Sequence, residues 1–246
     1  MGKWELVNSM QPLFESWRAF MTEGNDIYPF QLYVDLDGVL VDFQRGAVEA
    51  MNADLKAPES VPERLQKRYG KMVRALEELG RDPQSEESWK ITAEDFDKKS
   101  PNRINAVRNY MYPRLQDDLQ FWSELNWIEP DGRVLWELVK DIQPPPIILT
   151  SPMHGQGSHV GKELWVQNEE NLGLPLERII VERDKFKYAV DDSGTQNVLI
   201  DDTPEKIALW EEAGGIGILH TSMMDTLGEL TELGVKPAAP PEETPE

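Results

Sequence analysis

The sequence predicts an α/β protein: a parallel sheet with helices on both faces, interrupted by an all-helical insertion. Three observations carry this. After Pro130-Asp131-Gly132, short apolar runs alternate with amphipathic helical patterns, the rhythm of a parallel sheet. One further apolar run, Gln31–Asp35, stands far upstream of these. Between them, from about Gln44 to Glu129, strand-like runs are missing and apolar residues recur at steps of three and four.

In chain order, residues 9–23 predict an amphipathic helix. Ser9 caps it, Pro12 sits near its first turn and Gly24 follows its end. Met10, Leu13, Phe14, Trp17 and Phe20 form its apolar stripe. Gln31–Asp35 is the first strand. The insertion holds a helical pattern over Val61–Leu79 and another over Asn102–Leu119, where Pro113 predicts a kink or break. Pro58, Pro62, Pro83 and Pro101 punctuate its loops, and most of Trp89, Phe96, Phe121, Trp122 and Trp127 should be core. Beyond it come a helix over Arg133–Ile142, a strand Pro146–Leu149, a helix Ser158–Asn171, strands Arg178–Val181 and Asn197–Ile200, a helix Thr203–Ala213 and a last strand Ile216–Leu219. The expected organisation is an N-terminal helix (1–25), a core from 26–43 and 130–234, a helical cap (44–129) and a proline-rich acidic tail (235–246) expected to be disordered.

The chain is long enough to bury a substantial core. With 25 basic against 45 acidic residues its net charge is -20, which disfavours a nucleic-acid polymer as partner. A small phosphorylated substrate remains compatible, because a metal and a few lysines reverse the field locally. There is no cysteine, so disulfides and thiolate zinc sites are excluded. The start lacks an apolar signal region, and no apolar run approaches the roughly 20 residues that span a bilayer, so the expectation is a cytoplasmic protein without membrane attachment.

The chemistry gathers at strand ends. Asp35-Leu36-Asp37-Gly38 follows the first strand, and Val198-Leu199-Ile200 runs into Asp201-Asp202. Unpaired carboxylates repel, and little but a cation gathers four of them. Between the pairs Ile147-Ile148-Leu149 ends in the hydroxyls of Thr150 and Ser151. In an open parallel sheet, ligands bind beyond the carboxyl ends of the strands, so these motifs meet despite their separation. Asp35 and Asp37 point the same way at period two, and Gly38 permits a tight turn. An ionised Asp can attack phosphorus, Mg²⁺ can neutralise the phosphate, a second carboxyl can move the proton, and a hydroxyl and a lysine can grip phosphate oxygens.

These elements resemble the motifs of the haloacid-dehalogenase-like (HAD) phosphohydrolases, over roughly residues 30–43 and 130–220. Asp35-Leu36-Asp37-Gly38-Val39-Leu40-Val41-Asp42-Phe43 is similar to the first motif of the 5'(3')-deoxyribonucleotidases. So are Leu149-Thr150-Ser151-Pro152 with Lys162-Glu163-Leu164-Trp165-Val166, Arg178-Ile179-Ile180 with Arg183-Asp184-Lys185, and Leu199-Ile200-Asp201-Asp202. The resemblance implies a Rossmann-like core with an inserted cap. It implies a Mg²⁺-dependent phosphomonoesterase working through an aspartyl-phosphate on nucleoside monophosphates. Asp35 would be nucleophile and metal ligand. Asp37 would be general acid/base, with its backbone carbonyl on the metal. Thr150 would bind phosphoryl oxygens, with Ser151 and Gly38 beside the substrate. Asp201 would ligate Mg²⁺, and Asp202 would act beside it at the metal. Lys185 would neutralise the phosphoaspartate, and Phe43 would help form a base pocket.

Lys162, Lys185 and Lys187 compete for the lysine role. Lys185 follows the pattern, but Phe186–Gln196 makes its path to Asp201 long for that branch. If the segment is extended, Lys185 and Lys187 share a face and either reaches the site; Lys162 is a supporting phosphate contact. His154 and His159 read as polar residues of a glycine-rich loop, Pro152–Gly161, and His220 has no assigned role. Asp117-Asp118 and Asp191-Asp192 read as solvated loops or helix ends; Arg103, Arg108 and Arg114 read equally as facing the site or as solvated. The alternatives are a HAD phosphatase for another small phosphate or a polynucleotide 3'-phosphate, a non-catalytic binding module with this fold, and a scaffold recruiting a partner through its N-terminal helix and acidic tail. A homodimer through cap or N-terminal apolar surface is left open.

Overall fold

A computed structural model describes residues 27–85, 87–97 and 100–235; the helix expected over 9–23 and the tail from 236 onward lie outside the described residues. Its strands are β1 (Leu32–Val34), β2 (Ile147–Thr150), β3 (Ile179–Val181), β4 (Val198–Asp201) and β5 (Ile216–Leu219). They form one five-stranded sheet of order β3-β2-β1-β4-β5. β1 runs parallel to β2 and to β4, with Val34 beside Ile148 on one side and Ile200 on the other, and β4 runs parallel to β5. The order reverses between β1 and β4, which creates the switch point where doubly wound sheets open a crevice. β1, and β4 as far as Ile200, are apolar on both faces and wholly buried, as strands covered by helices on both sides must be.

The helices are α1 (Phe43–Lys56), α2 (Gln66–Glu78), α3 (Asn105–Leu115), α4 (Leu119–Ser123), α5 (Asp131–Val139), α6 (Gln156–Gln167), α7 (Pro204–Glu212) and α8 (Met223–Glu232). No helix among the described residues is long and apolar enough to cross a membrane. The chain divides into two compact units, one from residues up to Leu40 with Trp127–Leu149 and the stretch from Asp184 onward, the other from Val41–Asn126 with Thr150–Arg183.

The first unit holds β1, β2 through Leu149, β4, β5, α5, α7 and α8. Within it, α7 packs on β4 and β5, and α5 packs on α8. Asn197, just before β4, is a polar clasp. Its side chain accepts from Gln31 N at 3.0 Å and donates to Tyr188 O at 2.9 Å, while its carbonyl accepts from Trp210 Nε1 at 3.2 Å.

The second unit is largely helical. Met51, Met72, Leu76, Val107, Tyr110, Met111 and Leu115 build its core at helical spacing. Inside that core Asp54 is buried, accepting from Tyr110 Oη at 2.6 Å and from Arg114 Nε at 3.0 Å; Arg114 also reaches Asp118 at 2.5 Å. Arg114 is therefore a half-buried structural cation, and Asp118 caps α4 by accepting from Phe121 N. Gly161 lets α6 lie close against α4, since a Cβ there would run into Trp122.

Three expectations are corrected. Pro113 does not break its helix but lies within α3, in its last turn. His159 belongs to α6 rather than a loop, beside Glu163 at 3.3 Å; the segment's glycines are absorbed by close packing on Gln116, Asp117 and Trp122. α1 and α8 were not expected. Asp42 caps α1 by accepting from Arg45 N, and its buried stripe is only Ala47, Met51, Asp54 and Leu55, too thin to stand out. α8 buries Met223, Thr226, Leu227 and Leu230, a pattern diluted by Gly228 and two threonines.

Candidate active site

β1 and β4 of the first unit end side by side, and the Asp35 amide donates to Ile200 O at 2.9 Å just past the last β1 residue. This stitch aligns Asp35 with Asp201. Both are buried, at 1% and 0% exposure, while Asp37 and Asp202 are half-buried. Gly38 follows in the left-handed region, φ +79°, and a Cβ there would lie 2.5 Å from Asp202 Oδ2. The turn after β1 thus needs a glycine for its backbone and for the room the acid takes.

Lys185 sits among these acids. Its ammonium is 2.8 Å from Asp35 Oδ1 and 2.6 Å from Asp201 Oδ2, with its side chain only 2% exposed. Asp35 Oδ1 also accepts from Leu36 N at 2.8 Å, and Asp201 Oδ1 accepts from Thr203 N at 2.9 Å, which fixes both carboxylates. The segment carrying Lys185 is a short 3-10 helix, Lys185–Tyr188, not an extended strand. Lys187 therefore turns away, half-exposed, and pairs with Asp184 at 3.1 Å. The residues up to β4 fold on themselves: the exposed Asp191 side chain accepts from Ser193 N and Thr195 N, and Asn197 N donates to Ala189 O. The long path to Asp201 is a looped-out turn.

A residue that sequence reasoning missed is Lys206. From the first turn of α7 its ammonium lies 3.2 Å from Asp35 Oδ2 and 3.4 Å from Asp201 Oδ2. The available signal was its place one helical turn beyond Asp201-Asp202, just after Thr203-Pro204 starts a helix.

The electrostatics follow from crowding. Burial raises the Asp202 carboxyl to about 6, helped by the charges of Asp35 and Asp201. Burial also raises Asp201, and Asp35 adds to it, against the pull of Lys185 and Lys206. Lys185 is lowered by burial, in part offset by Asp35 and Asp201. For Lys206, burial is outweighed by Asp35, Asp201 and Asp37, so it is raised and stays charged. Asp35, Asp201 and Asp202 each present a carboxylate oxygen within 4.8 Å of the others. That all-oxygen set suits a hard cation such as Mg²⁺; the Asp37 carboxylate is not part of it.

The other expected site residues belong to the second unit. Lys162 is fully buried and donates to Thr150 Oγ1 at 3.0 Å and Ser151 O at 2.7 Å; its ammonium lies 4.9 Å above the Trp122 ring. Phe43 stacks on Trp122, rings 5.4 Å apart and 10° from parallel, and meets Phe121 edge-on. His154 is exposed, 3.3 Å from Arg183.

No protein-family model matches the chain, and no curated protein does. Solved structures that resemble it include a hydrolase from Streptococcus pneumoniae TIGR4, at 13% identity and TM-score 0.40 over 85% of this chain and all of that one. A phosphonoacetaldehyde hydrolase-like protein from Oleispira antarctica aligns at 16% identity and TM-score 0.38, over 81% of this chain and 76% of that one. A hydrolase from Pseudomonas syringae aligns at 12% identity and TM-score 0.36, over 83% and 90%.

Proposed function

We propose that this chain is a HAD-like phosphomonoesterase that hydrolyses small phosphate monoesters through an aspartyl-phosphate. The observation that carries the reading is the meeting of Asp35 and Asp201 on one buried ammonium, Lys185, at the switch point of the sheet. Asp35, Asp201 and Asp202 would hold a divalent cation, for which their oxygens are close enough together. When bound, such a cation neutralises the phosphoryl oxygens and makes phosphorus attackable.

The chain's own residues account for the remaining steps. Asp35 attacks phosphorus, forming the acyl–phosphate bond as the ester P–O bond breaks, and Asp37 gives its proton to the leaving oxygen. Asp37 then takes a proton from water, which attacks the phosphoaspartate, frees phosphate and regenerates Asp35. Lys185 holds Asp35 in place and offsets charge on the phosphoryl oxygens. For Thr150, Ser151 and Lys162 we propose phosphate binding, and for Phe43 a contact with the leaving group. The substrate class we favour is nucleoside 5'- or 3'-monophosphates, on the similarity of the first-motif residues Asp35–Phe43 to the deoxyribonucleotidases.

The test is phosphate release from a panel of nucleoside monophosphates and sugar phosphates, with Mg²⁺ and with chelator, for wild type and Asp35→Asn. Mg²⁺-dependent release from nucleotides, lost in the variant, is the expected result. Release only from non-nucleotides discards the nucleotide substrate and keeps the chemistry. Full turnover in Asp35→Asn would rule out the covalent route.

A further inference from the structure

Lys206 occupies a place that helix electrostatics disfavours. It lies in the first turn of α7, where the helix dipole is positive and a cation is repelled. Its ammonium turns toward Asp35 Oδ2 and Asp201 Oδ2, and those two residues are also members of the oxygen set that would hold a cation. The two lysines of the cluster differ in freedom. Lys185 is 2% exposed and paired with both acids, whereas Lys206 is 28% exposed and so partly reaches solvent. An ammonium and a divalent cation on the same carboxylate oxygens repel each other, and the lysine stem is long and flexible enough to yield.

We propose that Lys206 is a displaceable internal cation: its ammonium closes the Asp35–Asp201 pair when no divalent ion is bound and swings out to solvent when one enters. This rests on the reading of Asp35, Asp201 and Asp202 as metal ligands. Lys206 is on this account a positioning residue that sets metal affinity. Together with Lys185 it offsets the repulsion between Asp35 and Asp201 in the metal-free protein. It also makes metal entry an exchange of one cation for another, and so weakens the apparent affinity. The inference therefore concerns binding and does not depend on turnover.

The experiment is calorimetric titration of Mg²⁺ alone into wild type, Lys206→Met, Lys206→Gln and Asp201→Asn. A second measurement, on wild type, follows acylation of individual lysines by mass spectrometry with and without saturating Mg²⁺. The expected result is Mg²⁺ binding roughly tenfold tighter in Lys206→Met and Lys206→Gln, a factor that corresponds to about 1.4 kcal/mol. In wild type, Lys206 should become more reactive when Mg²⁺ binds while Lys185 stays protected. If both substitutions leave affinity unchanged or weaken it while Asp201→Asn abolishes binding, the displacement idea is wrong and the metal site stands. If Lys206 is equally protected with and without bound Mg²⁺, it does not swing out and the idea is likewise wrong. Absence of Mg²⁺ binding in every form overturns both. Tight Mg²⁺ binding without phosphate release from any ester would sink the phosphatase reading alone.

Discussion

The Lys185 ammonium lies 2.6 Å from Asp201 Oδ2, and neither side chain meets solvent. The same ammonium touches Asp35, so one buried cation joins the ends of two neighbouring strands. A buried pair of this kind is costly to break because the partner left behind keeps its charge without its counter-ion. Lys185→Met should accordingly lower the stability of the metal-free protein by about 3–5 kcal/mol in urea denaturation. It should also lower phosphate release by about 100-fold or more. Lys187→Met, which alters a half-exposed side chain paired with Asp184, should leave turnover within about twofold of wild type. Equal losses in the two variants would mean that the wrong lysine has been chosen.

Gly38 is constrained by backbone and by space. At φ +79° a side chain pays a conformational penalty, and its Cβ would lie 2.5 Å from Asp202 Oδ2. Gly38→Ala should cost about 1–3 kcal/mol and displace Asp202. Urea midpoints measure the first, and weaker Mg²⁺ binding the second. A variant as stable as wild type would show that the turn relaxes freely.

His220 predicts a pH dependence of folding. Burial lowers its pKa below the ordinary 6.5, against the opposing charges of Asp131 and Asp225, and Nδ1 lies 2.8 Å from Thr226 Oγ1. A histidine lowered in the folded state favours its neutral form there. Its contribution is complete above about pH 6.5 and declines as pH falls below that value, because the unfolded chain takes up the proton first. His220→Gln should remove this component, so the two stability profiles should diverge as pH falls below about 6.5. Parallel profiles would show that His220 titrates alike in both states.

Tyr110→Phe tests the buried acid of the helical unit. The substitution keeps the ring and deletes one of the donors to Asp54, at 2.6 Å. A hydrogen bond to a charged group is worth about 1.5–3 kcal/mol, and that loss should appear in urea denaturation with no change in the Mg²⁺ requirement of phosphate release. A cost under about 0.5 kcal/mol would mean that Arg114 alone satisfies Asp54.

Much of the fold was legible because its signals are local. Ile216–Leu219 was read to the residue, and the other four strands to within a residue or two at each end, since apolar runs flanked by turn residues advertise themselves. α1 and α8 escaped because their buried stripes are thin or interrupted, and helix content there is decided by what the face packs on. Gly38 was legible as a turn, and its left-handed φ bears that out. The choice among lysines was not legible, because it hangs on whether the segment after Asp184 is extended or coiled. That segment is a 3-10 helix, which separates Lys185 from Lys187.

The sequence by itself determined the α/β class, the helical character of the insertion and the placing of Asp35-Leu36-Asp37-Gly38 and Asp201-Asp202 at strand ends. Periodicity and turn chemistry are written in neighbouring residues. Only the tertiary structure decided that β1 and β4 adjoin at the point where strand order reverses, and that Lys185 is the lysine buried between Asp35 and Asp201. It alone brought Lys206 to the same two acids. The reason is physical: a charge's partner is set by distance through space, and the distance between residues remote in the chain exists only once the sheet has formed.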